Sequence, residues 1–488
     1  MWRGAIFGVI ALAFSFFWNE WNLSVLPEEL SRNHTTVYTL DDASYLRPFD
    51  ELYQFGTISK TAFKSHLNSV RPPGYGLFYY FHLLLFGEFA LKMLTVTQVL
   101  LYGFSIWAFF ELAKFYMKSE CLASISTAIF VLIPWSIGFH YYTLSEGITP
   151  ALLLIGWYLL ISNSNGKSGE WKFYSGIACL SFLLLTRPVL IVLTPVFLYL
   201  IWLRFGAINW RKIIFSTAFL FSGLLVWQGY FLVKRGTFLG LHPIYQAEIP
   251  GLFRPAHAAI WDCFKGWESD GAHFHETIGP FWEGVMKNEN TTILIDEVLK
   301  KIPIEVKEVL TERSLRNAFL TYAELINSQK TAYLQSELLP PTLSDLEQKV
   351  IADFQTLEKE FRQKNPIQYF AFTPIKVAKN LVAHSNLSLY LFQHPLRGRW
   401  WMEGLRFLSY GLHILAFTSL LFTLFLKVEK TWKVMTLFVL VYLFYLIFFQ
   451  RGIEERYTSP FLAFAFLNLG LMFRYAESKF FVKSSVFK

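Results

Sequence analysis

Apolar residues occupy long unbroken blocks of this chain, and polar residues gather in short stretches between them. An apolar run at residues 5–18 follows Arg3. Further runs cover 94–113, 122–139, 148–161, 173–186, 189–203 and 213–233, and, after a long polar region, 405–426, 434–449 and 457–473. Blocks that are apolar on every side predict helices surrounded by lipid rather than one-sided helices of a soluble core. Some are shorter than the ~20 residues that a span needs, so flanking Trp and Tyr must complete them. Residues 74–90 form a short, proline-led run containing His82, which predicts a re-entrant or interfacial helix.

The basic residues set the orientation. Lys114 and Lys118, Lys167 and Lys172, Arg204 with Arg211 and Lys212, Lys427 with Lys430 and Lys433, and a tail with Arg474, Lys479, Lys483 and Lys488 fall on one side if 74–90 does not cross. About ten spans follow, within a range of roughly ten to thirteen, with both termini inside. No small-x-small cleavage site follows the first run, and Asn19-Glu20-Trp21 reads as a helix end, so this run is expected to be a signal anchor. The expected fold is all-α and polytopic. Residues 1–235 form a membrane module with its first external loop at about 22–73, residues 236–403 an external, mostly helical insert, and residues 404–488 terminal membrane helices.

Within the insert, 343–363 carries charges at helical spacing and predicts a solvated helix, and 291–313 is amphipathic. Pro340-Pro341 breaks the chain between helical pieces. Residues 366–391 mix aromatics with Lys376, Lys379 and His384, which suits a helix lying on the membrane surface.

Composition sharpens the class. The chain is 54% hydrophobic and 19% aromatic but only 16% charged, with 51 Phe and 16 Trp, more than a soluble core uses. Its net charge of +8 sits in short loops beside apolar runs, a placement that fits membrane lipids and not nucleic acid. Cys121, Cys179 and Cys263 lie in separate segments and form no metal or redox motif. The internal loops are short and lack a Gly-rich phosphate loop, which leaves no place for a nucleotide-binding domain.

Against this background the polar clusters stand out. Asp41-Asp42 begins a helix-like pattern through Tyr45, Phe49, Leu52 and Phe55, stopped by Gly56. Either acid could cap that helix, bind a divalent cation, or remove a proton from a hydroxyl held within hydrogen-bonding distance. Arg71 opens Arg71-Pro72-Pro73-Gly74-Tyr75, where it either anchors the interface or grips a phosphate with its planar fork of donors. Glu146 and Arg187 lie at outer helix ends, as do Arg451, Glu454, Glu455, Arg456 and Tyr457. His273-Phe274-His275-Glu276, near Asp270, has the residue types of a metal site without its spacing. Asn290-Thr291-Thr292 is a glycosylation sequon, of use only in a eukaryotic secretory pathway.

The order Asp41-Asp42-x-x-Tyr45, then Arg71-Pro72-Pro73-Gly74-Tyr75, resembles the GT-C glycosyltransferases, and within them the protein O-mannosyltransferases and the bacterial lipid A aminoarabinose transferases. Leu144-Ser145-Glu146, Leu185-Thr186-Arg187-Pro188 and Glu455-Arg456-Tyr457-Thr458-Ser459-Pro460 are also similar to recurring segments of that superfamily. The resemblance implies an inverting transferase in which Asp41 is the catalytic aspartate, acting as general base, and Asp42 its acidic neighbour. Pro48 departs from the pattern and is expected to interrupt the helix behind the acids, and residues 236–403 resemble neither subfamily's external domain.

A polyprenyl-phosphate-linked sugar is the expected donor, since such a lipid reaches an outer site along the membrane without a nucleotide. Arg71, Arg187 and Arg456 would meet its phosphate, Tyr45, Tyr457 and Glu146 would support the substrate, and Asp42 with Glu146 could hold a divalent ion. The acceptor would be a lipid, glycan or protein on the periplasmic face of a bacterial inner membrane. A polysaccharide polymerase or ligase using a lipid-linked donor, or a transporter, is the alternative.

Overall fold

A computed structural model of the 488-residue chain describes residues 2–32, 34–39, 41–56, 71–133, 137–162, 167–235, 249–252, 254–267, 271–340, 342–383, 398–451 and 455–484. Among these residues the fold is helical apart from one two-residue-per-strand hairpin, β1 (Ser31–Arg32) with β2 (Thr36–Val37). Among the described residues, seven stretches are long and apolar enough to cross a membrane: Trp2–Val25, Pro73–Met117, Pro188–Phe205, Trp210–Tyr230, Trp400–Thr423, Lys430–Gln450 and Ser459–Ser478.

Helix α1 (Trp2–Val25) runs through Asn19-Glu20-Trp21, where the sequence suggests an end. Helix α2 (Asp42–Phe55) likewise continues through Pro48, contrary to expectation; the missing N–H costs only the bond to the Ser44 carbonyl, and the ring is buried. The stretch from Pro73 breaks at Gly87 (φ +50°) into α3 (Pro73–Phe86) and α4 (Ala90–Met117), which pack against each other. Helix α3, 14 residues and roughly 21 Å long, falls short of a hydrocarbon core of ~30 Å. Two of the expected spans come out as shorter helices, α5 (Glu120–Val131) and α6 (Thr149–Ile161). They are followed by α7 (Lys167–Thr186), α8 (Thr194–Phe205) and α9 (Trp210–Arg235).

Lipid tails are as apolar as the helices, so close backbone approach has to hold the bundle together. Gly4 and Gly8, one turn apart on α1, supply it against α4: a methyl on Gly8 would stand 3.0 Å from the Gly103 carbonyl oxygen. Helices α6 and α7 meet the same way, a methyl on Gly176 falling 3.0 Å from the carbonyl oxygen of Gly156.

The insert builds its own core from α10 (Pro255–Trp267), α11 (Gly271–Met286), α12 (Thr291–Lys301), α13 (Ile304–Lys307), α14 (Glu312–Gln335) and α15 (Asp345–Lys364), with Phe264, Phe281, Phe319, Phe354 and Phe361 fully buried. The solvated helix expected at 343–363 is therefore corrected: α15 buries Val350, Phe354, Leu357 and Phe361, an apolar stripe at helical spacing under a charged outer face. The amphipathic piece at 291–313 divides into α12 and α13 at Pro303. Buried Arg254 pairs bidentately with Glu347, whose backbone N–H donates to Ser344 Oγ at 3.2 Å and so caps α15.

A π turn (Gln368–Phe372) and α16 (Thr373–Ala383) lead back to the bundle. Helix α16 buries Val377 and Leu381 among the membrane helices, while Ile367, Phe370, Phe372 and Ile375 are exposed. His384 and Pro341 lie outside the described residues. Arg451 fastens the two halves, donating to the carbonyls of Tyr369 (3.0 Å) and Lys265 (3.5 Å), with its guanidinium 4.3 Å from the Tyr369 ring centre. The final helices α17 (Trp400–Thr423), α18 (Lys430–Tyr445) and α19 (Leu462–Ser484) are joined by buried Asn468, which accepts from Thr423, Trp432 and Thr436 and donates to Ser419.

Candidate active site

The first external loop is fixed before any functional side chain is placed. The Val37 N–H donates to the Tyr141 carbonyl at 2.8 Å, so the β1–β2 hairpin lies on the segment leading to Glu146. That segment is held from below by Gln98 of α4, whose amide donates to the His140 carbonyl at 2.6 Å and accepts from the Tyr75 hydroxyl at 3.0 Å. Gly147 makes room for it, since a methyl there would meet the Gln98 side chain at 2.2 Å.

Two glycines bring the remaining elements together. Pro72, extended at ψ 135°, and Pro73 at the first helical position set the entry into α3. A methyl on Gly74 would fall 2.6 Å from the Thr186 backbone nitrogen, and one on Gly76 would fall 2.0 Å from the Phe49 ring. Helix α3 is thus wedged between α2 and the C-terminal end of α7, which sets Arg71 beside Asp41 and Arg187 close behind.

Asp41 occupies the N-cap position of α2, yet its side chain makes no capping bond. Its oxygens are taken by two guanidiniums instead: Arg71 donates to Oδ1 at 2.5 Å and Arg456 to Oδ2 at 2.9 Å. Arg456 arrives from 415 positions along the chain, on the turn before α19. Its Nε lies 3.8 Å from Oε1 of Glu146, which also accepts from Arg187 at 2.9 Å. Arg71, Asp41, Arg456, Glu146 and Arg187 therefore form one chain of alternating charges. Its exposed end is Arg71 (29% exposed) with Asp41 (26%), and its buried end is Arg187 (10%) with Glu146 (4%).

Tyr45 and Tyr457 each lie against a guanidinium, Arg71 at 5.2 Å and Arg187 at 5.5 Å, which restrains the planes of both forks. Burial pushes the Glu146 carboxyl upward, but the charges of Arg187 and Arg456 outweigh it and hold the group below the usual range. Glu146 also lines a small, mostly apolar cavity with Tyr102, Phe139, His140, Ser459 and Leu462.

Asp42 is used differently. Fully buried, it accepts from the Thr39 hydroxyl (2.5 Å) and backbone N–H (3.1 Å) and pairs with Arg32 at 3.2 Å. Burial raises its pKa against the effect of these partners. Asp42 and Glu146, read from sequence as a pair for a metal, are each engaged by cations of their own. Among the described residues, no group of three or more His, Cys, Asp or Glu could hold a metal ion.

Arg451, expected in the outer cluster, serves the insert instead. Glu454 and Asp270 lie outside the described residues, as do the side chains of Glu455 and His273. Phe274 is buried in the insert core, and the His275 ring packs 5.7 Å from that of Trp261.

Arg32, Thr39, Ser44 and Gln98 are missed by the sequence reading. Thr39 had a signal, since a hydroxyl residue three before an acid at a helix start has the spacing of a capping box. Ser44, whose hydroxyl accepts from Arg71 Nε at 3.2 Å, lies one turn into α2 beyond Asp41. Gln98, mid-helix in an apolar block, gave none.

No family model matches this chain, and no curated protein sequence does. Two crystal structures are similar to it, those of ArnT from Cupriavidus metallidurans bound to undecaprenyl phosphate and in the apo state. Their identities are 11% and 12% and their TM-scores 0.35 and 0.34, with 95% of this chain and 76% of theirs covered in each case.

Proposed function

We propose that this chain is a GT-C-type glycosyltransferase that moves a sugar from a polyprenyl-phosphate-linked donor to an acceptor nucleophile on the outer face of the membrane. The observation that carries the reading is the placing of Asp41 between Arg71 and Arg456, with Glu146 and Arg187 behind them. Three arginines at helix ends form a phosphate cradle, and the carboxylate beside it can take a proton. In the reaction an acceptor hydroxyl gives its proton to Asp41 while its oxygen bonds to the anomeric carbon. The bond from that carbon to the phosphate oxygen breaks, and the lipid phosphate leaves with the electron pair, so the carbon is inverted. The arginines meet the charge that develops on the leaving phosphate. Transport is the weaker reading, because these charges sit at helix ends and not in mid-span.

The test is sugar transfer by purified Asp41→Asn protein beside wild type, with folding followed by thermal melt. Loss of a general base lowers the rate by about 10²–10⁴-fold; melting is expected to fall only by the weakening of the Arg71 and Arg456 bonds, since Asn keeps the shape and one acceptor oxygen and no cap bond is lost. A folded variant with wild-type turnover would remove Asp41 from the chemistry. Sidedness is tested by labelling single cysteines at exposed Tyr53 and Lys427 in a background lacking Cys121, Cys179 and Cys263. An impermeant reagent on intact cells is expected to reach Tyr53→Cys only; equal labelling of both would overturn the orientation.

A further inference from the structure

We infer that Asp41 is a masked base, locked by the same arginines that receive the donor and released when the donor's phosphate takes its place. The inference rests on the proposed function and adds to it an order of events. In the free protein both Asp41 oxygens accept from guanidiniums, Oδ1 from Arg71 and Oδ2 from Arg456. With a guanidinium already donating to each oxygen, an acceptor hydroxyl can reach Asp41 squarely only when one of these donors moves aside. A phosphate oxyanion brought along the membrane competes for those donors, and the Arg71–Asp41 end of the cluster is its more exposed end.

The charges support this. Arg71, Arg187 and Arg456 against Asp41 and Glu146 leave one net positive charge. A phosphodiester anion brings the site to neutrality. After transfer the lipid phosphate leaves as a dianion while Asp41 carries the acceptor's proton, so the site is neutral again. A site of low polarity keeps the same net charge from donor complex to product complex, and the empty site, one anion short, keeps Asp41 occupied as a stand-in. Acceptor activation then follows donor binding, and an acceptor arriving first meets a locked base.

The experiment uses the full-length protein in detergent and undecaprenyl phosphate as probe, with affinity read by scintillation proximity. If Asp41 competes with phosphate for the arginines, Asp41→Asn binds the probe about tenfold tighter or more while losing transfer, since one charge-assisted hydrogen bond is worth that much. The Arg71→Lys loss in affinity is then larger in the Asp41→Asn background than in wild type, because Arg71 no longer has to leave a partner. A carboxylate acting only through its charge gives equal Arg71→Lys losses in both backgrounds, which would overturn the inference. Unchanged or weaker binding by Asp41→Asn would overturn it too, with the proposed function left standing. Failure of wild type and Asp41→Asn alike to bind the probe would instead remove the proposed donor class. Asp41→Ser repeats the comparison should Asp41→Asn melt early.

Discussion

Asp41 and Asp42 are the same side chain at neighbouring positions, yet a helical rotation of about 100° sends one to the arginines and the other inward to Thr39 and Arg32. Their substitutions are expected to separate. Asp42→Asn turns one of two buried acceptor oxygens, both of which face donors of Thr39, into an amide donor without an acceptor, lowering stability by about 1–3 kcal/mol while costing far less transfer than Asp41→Asn. The two buried acids also titrate in opposite senses. Asp42 has a folded pKa above its ordinary 3.8, so its contribution is complete below that value and is lost as pH rises through the folded pKa. Glu146 has a folded pKa below its ordinary 4.5, so its contribution is complete above that value and is lost as pH falls through the folded pKa. Melting curves across acid pH are expected to flatten on the acid side in Glu146→Gln. A curve of unchanged shape would mean that Glu146 is no more engaged in the folded protein than in the unfolded one.

The element that assembles the site is α3, and its two glycines matter for the space they leave. Gly74→Ala puts a methyl against the Thr186 backbone, which no rotamer change relieves, so Arg187 must shift. A displacement of this size at a positioned cation is expected to lower transfer by about 10²-fold, with a lower melting temperature. Gly411→Ala, in α17 with nothing within 4 Å of the new methyl, serves as the control. It is expected to leave both unchanged or raise stability by up to about 1 kcal/mol. Equal behaviour of the two variants would argue against α3 as the wedge that sets Arg187.

At the scale of the molecule, the insert and the membrane helices meet through Arg451, a buried guanidinium that satisfies two carbonyls of the insert side. Arg451→Ala leaves the Tyr369 and Lys265 carbonyls without this donor and removes the ring contact. Faster backbone hydrogen exchange is expected over the π turn and the C-terminal half of α10, with the core of α14 and α15 protected as before. Uniformly faster exchange throughout the insert would show that Arg451 supports the insert's own fold, not its attachment.

The helical membrane class was determined by the sequence alone, because long blocks apolar on every side must satisfy their backbone internally in lipid, which a helix does. The sequence also singled out Asp41, Arg71, Glu146, Arg187 and Arg456 as charges at outer helix ends, but in the company of Asp42 and Arg451, which have other partners. Their arrangement was not legible. Which of Asp41 and Asp42 faces the arginines depends on the rotation of α2, and that is set by Gly76 against Phe49 and by Arg32 on a two-residue hairpin. The bond between Asp41 and Arg456 spans 415 positions and arises only when α19 packs against α4 and α5. Local sequence fixes what each segment is and which of its residues are costly to bury; long-range packing, decided by small residues such as Gly74 and Gly103 and by polar side chains such as Gln98, fixes which charges meet.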